Sequence, residues 1–540
     1  MTADSIHEVE TLVLLLLTVV IIFALIARKL DTPYPIVLVI AGLVLGFVPG
    51  VPQITLNPDL IFLLVLPPLL FSAAWNTSWR EFRFNLISIA MLAFGLVGFT
   101  VLGVSLLAPL VFPGFTWELG FVLGALVSTT DAIAAMSIAK RVGLPRRIMD
   151  LLEGESLLND ATGLLALEFG TSLVVYKQVP TVLSGFQRLT WLTLGGLAIG
   201  LMIGFVVDRV ERRLEYGSIE IMLSLLVPYG AYLAAEAAHA SGVLAVVACG
   251  LYLSRKSAEF FSPKTRLQTS AVWESLSFAL NGITFILIGL QLPSIWSAIG
   301  HAGWRKLLLD GLLFSTLLVL IRMIWVYPGA YVASFFRRHL LKQHTEAPAP
   351  RQLFVVGWTG MRGVIALAAA LSLPSTVADG SPFPQRTFLV YLCFSVILFS
   401  LVFQGLTLPK LIRLLGLEGH SDSKQEEKQV RRLMLQAALS HLQEKRNHER
   451  PEWTNVYDHL ADHYRARLDQ LADATHDDQS NPMGNSERFQ QLAWELLGVE
   501  RRTALSLRRE GKLSDESWRK LEREIDLAEL RGAQAGHMLH

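Results

Sequence analysis

Three short stretches of this sequence carry residues able to do chemistry inside otherwise apolar surroundings. They are Ser128-Thr129-Thr130-Asp131, Gly154-Glu155-Ser156-Leu157-Leu158-Asn159-Asp160, and Gly360-Met361-Arg362-Gly363. Ionisable groups in such runs are expensive to bury and default to an ion or substrate pathway. On a helix at 100° per residue, Ser156 and Asp160 share one face, and Glu155 and Asn159 share another, about 140° away for Glu155 and Asp160. The first face offers a hydroxyl and a carboxylate, ligands that suit a hard cation. The second offers a carboxylate and an amide, better suited to holding neighbouring helices. A buried Glu155 needs a partner, and Arg362 is expected to be its ion-pair mate. Asp131 follows a run of hydroxyl residues in the manner of an N-cap, which inside an apolar run implies a helix broken near Thr129-Thr130. It either compensates the exposed helix ends or ligates an ion directly. Gly360 and Gly363 mark either a second unwound stretch or close helix packing.

The elements that must carry these residues are membrane helices. Of 540 residues, 52% are hydrophobic and 17% charged, against about 25% charged in soluble domains. Apolar windows long enough to span begin near residues 10, 34, 59, 84, 118, 148, 188, 217, 240, 270, 306, 351 and 385. This makes an all-α polytopic membrane protein of about 13 transmembrane helices, with the run from Phe84 to Phe112 open to being split. If segments one to six and eight to thirteen repeat, the fifth and twelfth correspond, and those hold the two interruption signals. Lys and Arg alternate between loops. Nineteen fall on one side, including Lys140, Arg141, Arg146 and Arg147, and five on the other, which puts the N-terminus outside and the C-terminus in the cytoplasm. The run from Thr11 to Ala27 has no basic region before it and reads as a retained span rather than a cleaved signal.

Charge concentrates after residue 419: His420 to His540 holds 19 Lys and Arg and 22 Asp and Glu. The chain therefore divides into a membrane domain, 1–419, and a cytoplasmic helical tail, 420–540. Helices are expected over Gln425–Arg446, Val456–Ala474, Ser486–Arg509 and Ser514–Arg531. Eight of the 13 histidines lie in this tail and read as solvated surface residues. Cys249 and Cys393 sit in apolar runs without a CxxC or Cys/His cluster, which suggests neither a disulfide framework nor a zinc site. A net charge of +1 and the lack of a basic tract give no reason to expect a nucleic-acid partner.

The ordered set Leu66-Pro67-Pro68-Leu69-Leu70-Phe71, Thr130-Asp131, Glu153 to Asp160, Ser241-Gly242-Val243-Leu244-Ala245 and Gly360 to Val364 resembles bacterial sodium/proton antiporters of the monovalent cation/proton antiporter-1 family, relatives of animal sodium/proton exchangers. The resemblance implies a thirteen-helix fold with an inverted repeat, crossed unwound segments five and twelve, and a homodimer. It implies that Asp160 takes the cation or the proton, and that Ser156, the Thr130 carbonyl and Asp131 complete the shell. Asn159 would steady the crossing and Glu155 would pair with Arg362. The Asn-Asp pair in this branch goes with electroneutral exchange of sodium or lithium for a proton, serving pH and sodium homeostasis, with no cofactor. This chain departs from many relatives at Ser72, where they carry an acid, which leaves potassium/proton exchange as an alternative. A sodium-coupled solute carrier or channel would want a roomy organic pocket or a continuous polar pore, and neither shows in the sequence.

Overall fold

A computed structural model of the chain describes residues 3–49, 58–177, 182–214, 216–299, 303–339, 342, 349–417 and 432–444, with scattered positions from 457 to 468 and residue 527. The chain divides into two units, Met1–Gly419 and His420–His540.

The first unit is built of helices: α1 (Ala3–Lys29), α2 (Tyr34–Gly46), α3 (Pro58–Asn76), α4 (Trp79–Val111), α5 (Trp117–Leu126), α6 (Ala132–Val142), α7 (Arg146–Tyr176), α8 (Val182–Glu211), α9 (Gly217–Ala237), α10 (Gly242–Phe260), α11 (Pro263–Leu290), α12 (Leu292–Ile299), α13 (Trp304–His339), α14 (Pro350–Trp358), α15 (Val364–Leu371) and α16 (Arg386–Leu414). Among the described residues, seven helical runs are long and apolar enough to cross a membrane: α3, α4, most of α8, α9, α11 with α12, α13 and α16. The window from Phe84 to Phe112 is one continuous helical run and is not split. α5, α6, α14 and α15 are each too short to span alone, because each is half of an interrupted helix. α7 is 31 residues long, but it carries seven charged side chains, including the site carboxylates.

Wide helical turns interrupt three of the long helices, at Ile61–Val65, Met91–Leu96 and Ser400–Gln404. Such turns free backbone carbonyls and are frequent near functional sites. Side chains take up the freed groups here. The Trp325 indole donates to Met91 O at 3.1 Å, and the Thr162 hydroxyl to Ala93 O at 2.7 Å. In α3, Pro68 has no N–H to give to Leu64 O, and the Tyr229 hydroxyl donates to that carbonyl at 3.1 Å instead. The Leu-Pro-Pro-Leu-Leu-Phe run therefore ties α3 to α9.

Small residues set the helix spacing. A side chain at Gly42 of α2 would strike the Ile286 carbonyl of α11, and one at Gly289 of α11 would strike the Val39 carbonyl of α2. The two backbones approach closely, as is common where lipid gives helices no hydrophobic reason to associate.

In the second unit, 432–444 is helical, within the first expected tail helix, and described positions between 457 and 468 are helical within the second. The expected helices Ser486–Arg509 and Ser514–Arg531 lie outside the described residues, apart from Leu527.

Candidate ion-binding site at two crossed helix breaks

The helix carrying Asp131 is broken as its sequence suggests. α5 ends at Leu126, and α6 restarts at Ala132 with Asp131 as its N-cap, the carboxylate accepting from Ile133 N at 2.8 Å. α14 ends at Trp358, and α15 restarts after Gly363, so the glycines around Arg362 do mark an unwound stretch. The two breaks touch: Asp131 N donates to Met361 O at 2.8 Å. Gly363 is required by this approach, since a Cβ there would lie 2.7 Å from Asp131 Cβ.

A broken helix leaves carbonyls without intrahelical partners, and in this protein several of them have a named donor. Arg362 Nη1 donates to Ser128 O at 2.8 Å and Thr129 O at 2.9 Å. Ser156 Oγ, from α7, donates to Thr130 O at 2.6 Å and accepts from Ala132 N at 3.2 Å. Ala125 O accepts from the Ser128 hydroxyl at 2.7 Å. The Asn159 amide donates to the Thr130 hydroxyl. Across the second break, Arg362 N donates to Ser400 Oγ at 3.0 Å, a hydroxyl presented by the wide turn in α16.

The expected Glu155–Arg362 ion pair does not form. Glu155 is 1% exposed and is gripped by both terminal nitrogens of Arg322, at 2.5 and 2.9 Å. Arg322 also donates to Val356 O at 3.0 Å and Gly357 O at 3.2 Å, so one guanidinium joins α13, α7 and the last turn of α14. The cause is positional. Arg322 lies midway along α13 beside the Glu155 face of α7, whereas the Arg362 guanidinium is committed to the negative, C-terminal end of α5, where a cation is favoured. Planar bidentate geometry makes arginine the fitting residue for Glu155. The signal was present in the sequence, since Arg322 sits at the centre of its apolar window, but its partner could not be read there.

Asp160 is treated differently from Glu155. It is 3% exposed, and its Oδ1 has no hydrogen-bond partner among the described residues. It lines a cavity of about 940 Å³ together with Ser156, Thr130, Asp131 and Ser72. Glu155, Asn159 and Arg362 do not line it. Among the described residues the Ser72 side chain pairs with no charged group; its Oγ accepts from Ser277 Oγ at 2.9 Å. Thr130 O and Ser156 Oγ each retain a lone pair beyond the bonds above. The cluster of a carboxylate, a hydroxyl and a carbonyl is therefore an oxygen-rich locus fit for a hard monovalent cation or a proton. Ser400, Ser277 and Thr162 support it but carry no sequence signal, because a lone hydroxyl in an apolar helix is unremarkable by itself. Among the described residues, no group of three or more His, Cys, Asp or Glu is placed to hold a metal ion.

Comparisons with known proteins bear on the family and the fold. The family profile described as "Sodium/hydrogen exchanger, transmembrane" matches residues 14–414. The chain is 31% identical over 549 residues to the Na(+)/H(+) exchanger YjcE of Escherichia coli (strain K12), covering 97% of this chain and 98% of that one. It is 33% identical over 415 residues to the Na(+)/H(+) antiporter ApNhaP of Aphanothece halophytica, covering 76% of this chain and 75% of that one. A sodium, potassium, lithium and rubidium/H(+) antiporter of Bacillus pumilus is 32% identical over 449 residues, 81% of this chain and 65% of that one. Among solved structures, the sodium proton antiporter MjNhaP1 of Methanocaldococcus jannaschii shares the fold, with a TM-score of 0.61 at 18% identity, over 76% of this chain and 99% of that one. From residue 14 to 414, across both helix breaks and the buried Asp160, this chain belongs to the transmembrane sodium/hydrogen exchanger family.

Proposed function

We propose that this membrane protein, a monovalent cation/proton antiporter, binds its cation and its proton alternately at Asp160. The observation that carries this reading is a buried carboxylate with a partnerless oxygen, facing a cavity beside two crossed helix breaks. A carboxylate so placed must hold either a proton or a cation, and competition between the two is itself the coupling. Ser156, the Thr130 carbonyl and Asp131 complete the shell. Asn159 holds the break through Thr130, and Glu155, with Arg322, holds α7 in place. Arg362 neutralises the C-terminal end of α5 so that the break persists when the site is empty or filled.

Sodium or lithium for one proton is the proposed exchange. One carboxylate trading one proton for one monovalent cation moves no net charge, so the cycle is electroneutral and needs no cofactor. Ser72 adds no charge to the cavity wall, and the Bacillus relative is named for four cations. Potassium is therefore the second reading for the transported ion. Counting each broken pair as one span gives thirteen spans with an inverted repeat, which put the two termini on opposite sides; the excess of Lys and Arg in alternate loops puts the N-terminus outside, and the cavity then opens towards the cytoplasm, on the side of Lys140 and Glu153. The protein works as a homodimer in the plasma membrane, where it serves pH and sodium homeostasis.

The test uses purified protein in liposomes with a trapped pH dye, given sodium, lithium or potassium, with and without clamped voltage. Wild type should show cation-driven proton flux that is insensitive to voltage, and Asp160→Asn should show none. Proton flux retained in Asp160→Asn would overturn the assignment, and voltage-dependent flux would overturn electroneutrality.

A further inference from the structure

Glu153 is the feature of the cavity that the reading above leaves unused. It sits three residues before Ser156 and seven before Asp160, a spacing that puts all three on one stripe of α7, and all three line the same cavity. At about 1.5 Å of rise per residue, Glu153 stands about 10 Å from Asp160 along the helix axis. Lys140, in the last turn of α6, is also part of the lining. The two charges are near enough to act on each other, and among the described residues neither makes an ion-pair contact with the other. Asp150, one turn earlier on α7, also acts on Glu153, and Glu274 of α11 lines the same cavity. Glu153 is half-buried, and Lys140 and Glu274 are exposed.

We propose that Glu153 and Lys140 are an opposed charge pair at the cavity mouth that sets the apparent cation affinity of the antiporter, Glu153 by drawing the cation towards Asp160 and Lys140 by opposing it. This rests on Asp160 being the ion site. A low-dielectric cavity wall focuses the field of such charges on the space they line. Because the two are not locked together, each contributes its own sign to the potential along the stripe. Neither touches the bound ion, so both are positioning residues. Their effect falls on the concentration of cation needed, not on the rate of the conformational cycle.

The signs make the test. In liposomes, Glu153→Gln should raise the KM for sodium about three- to tenfold, as expected for one elementary charge at about 10 Å, and Lys140→Gln should lower it. Maximal velocity should stay near wild type in both. High N-methylglucamine chloride should shrink both shifts, since salt screens charges facing water. Glu153→Asp should restore most of the affinity, and Glu118→Gln, the same charge change at the start of α5, should leave KM alone. A merely structural role for either residue cannot give opposite shifts. Shifts of KM in the same direction, or none in variants that retain wild-type thermal stability, would overturn the proposal. Proton flux surviving in Asp160→Asn would instead overturn the reading of the site beneath it.

Discussion

Two carboxylates five residues apart on α7 have opposite treatment. Glu155 has its charge met by both nitrogens of Arg322, and Asp160 has an oxygen left unmet. A fully paired buried carboxylate is poor at exchanging partners, whereas an unmet one must take a cation or a proton. Breaking a buried pair from one side leaves an uncompensated charge and costs about 3–5 kcal/mol. Glu155→Ala and Arg322→Ala should each destabilise the protein by about that amount, read as a lowered midpoint of thermal unfolding in detergent. Glu155→Leu combined with Arg322→Met should recover part of the loss, because two apolar groups leave no charge unpaired and only Val356 O and Gly357 O lose a donor. If instead Arg362→Met mimicked Glu155→Ala and Arg322→Ala did not, the pairing described here would be wrong.

At the scale of elements, the site is a property of how three helices meet. α5–α6 and α14–α15 cross at their breaks, and α7 lies against the first break through Ser156 and Asn159. Gly163 of α7 lies where a Cβ would be 2.6 Å from Thr129 Cγ2 and 2.7 Å from Ser128 Oγ. Gly163→Ala therefore has to displace the Thr129 methyl and the Ser128 hydroxyl, which lie in the α5 break. The strain expected from forcing a methyl into a packed site is about 1–3 kcal/mol, and it falls on the carbonyls that Arg362 and Ser156 hold. Transport should drop more than tenfold in Gly163→Ala while the protein still folds, measured by proton flux beside thermal unfolding. A variant with wild-type flux would show that the break tolerates displacement.

For the whole molecule, the family match ends at Leu414, and the compact membrane unit ends at Gly419. The two breaks, α7 and the cavity all lie within that unit. A chain truncated after Gly419 should therefore reconstitute and retain cation-driven proton flux within about threefold of the full chain, since no residue of the proposed site is removed. Loss of flux with intact folding would make the tail part of the transport machinery. A shifted pH profile with flux retained would make it a regulator, the outcome that a role for its histidines requires.

Much of this was legible in the sequence. Hydrophobic windows placed the long helices because lipid demands an apolar run of fixed length whatever the packing. The run of hydroxyls before Asp131 gave the first break because capping is local, and the i, i+4 spacing of Ser156 and Asp160 put both on the cavity face. Local chemistry could say that Gly360 to Gly363 was either unwound or closely packed, but not which. The contact between Asp131 N and Met361 O decides it, and that contact joins residues 230 positions apart. Likewise, the sequence determined that Glu155 needs a cation at its depth, since a lone buried charge is untenable. Only the tertiary structure replaced the expected Arg362 with Arg322, because the pairing depends on which helix packs against the Glu155 face of α7 and on which guanidinium the open end of α5 has already claimed.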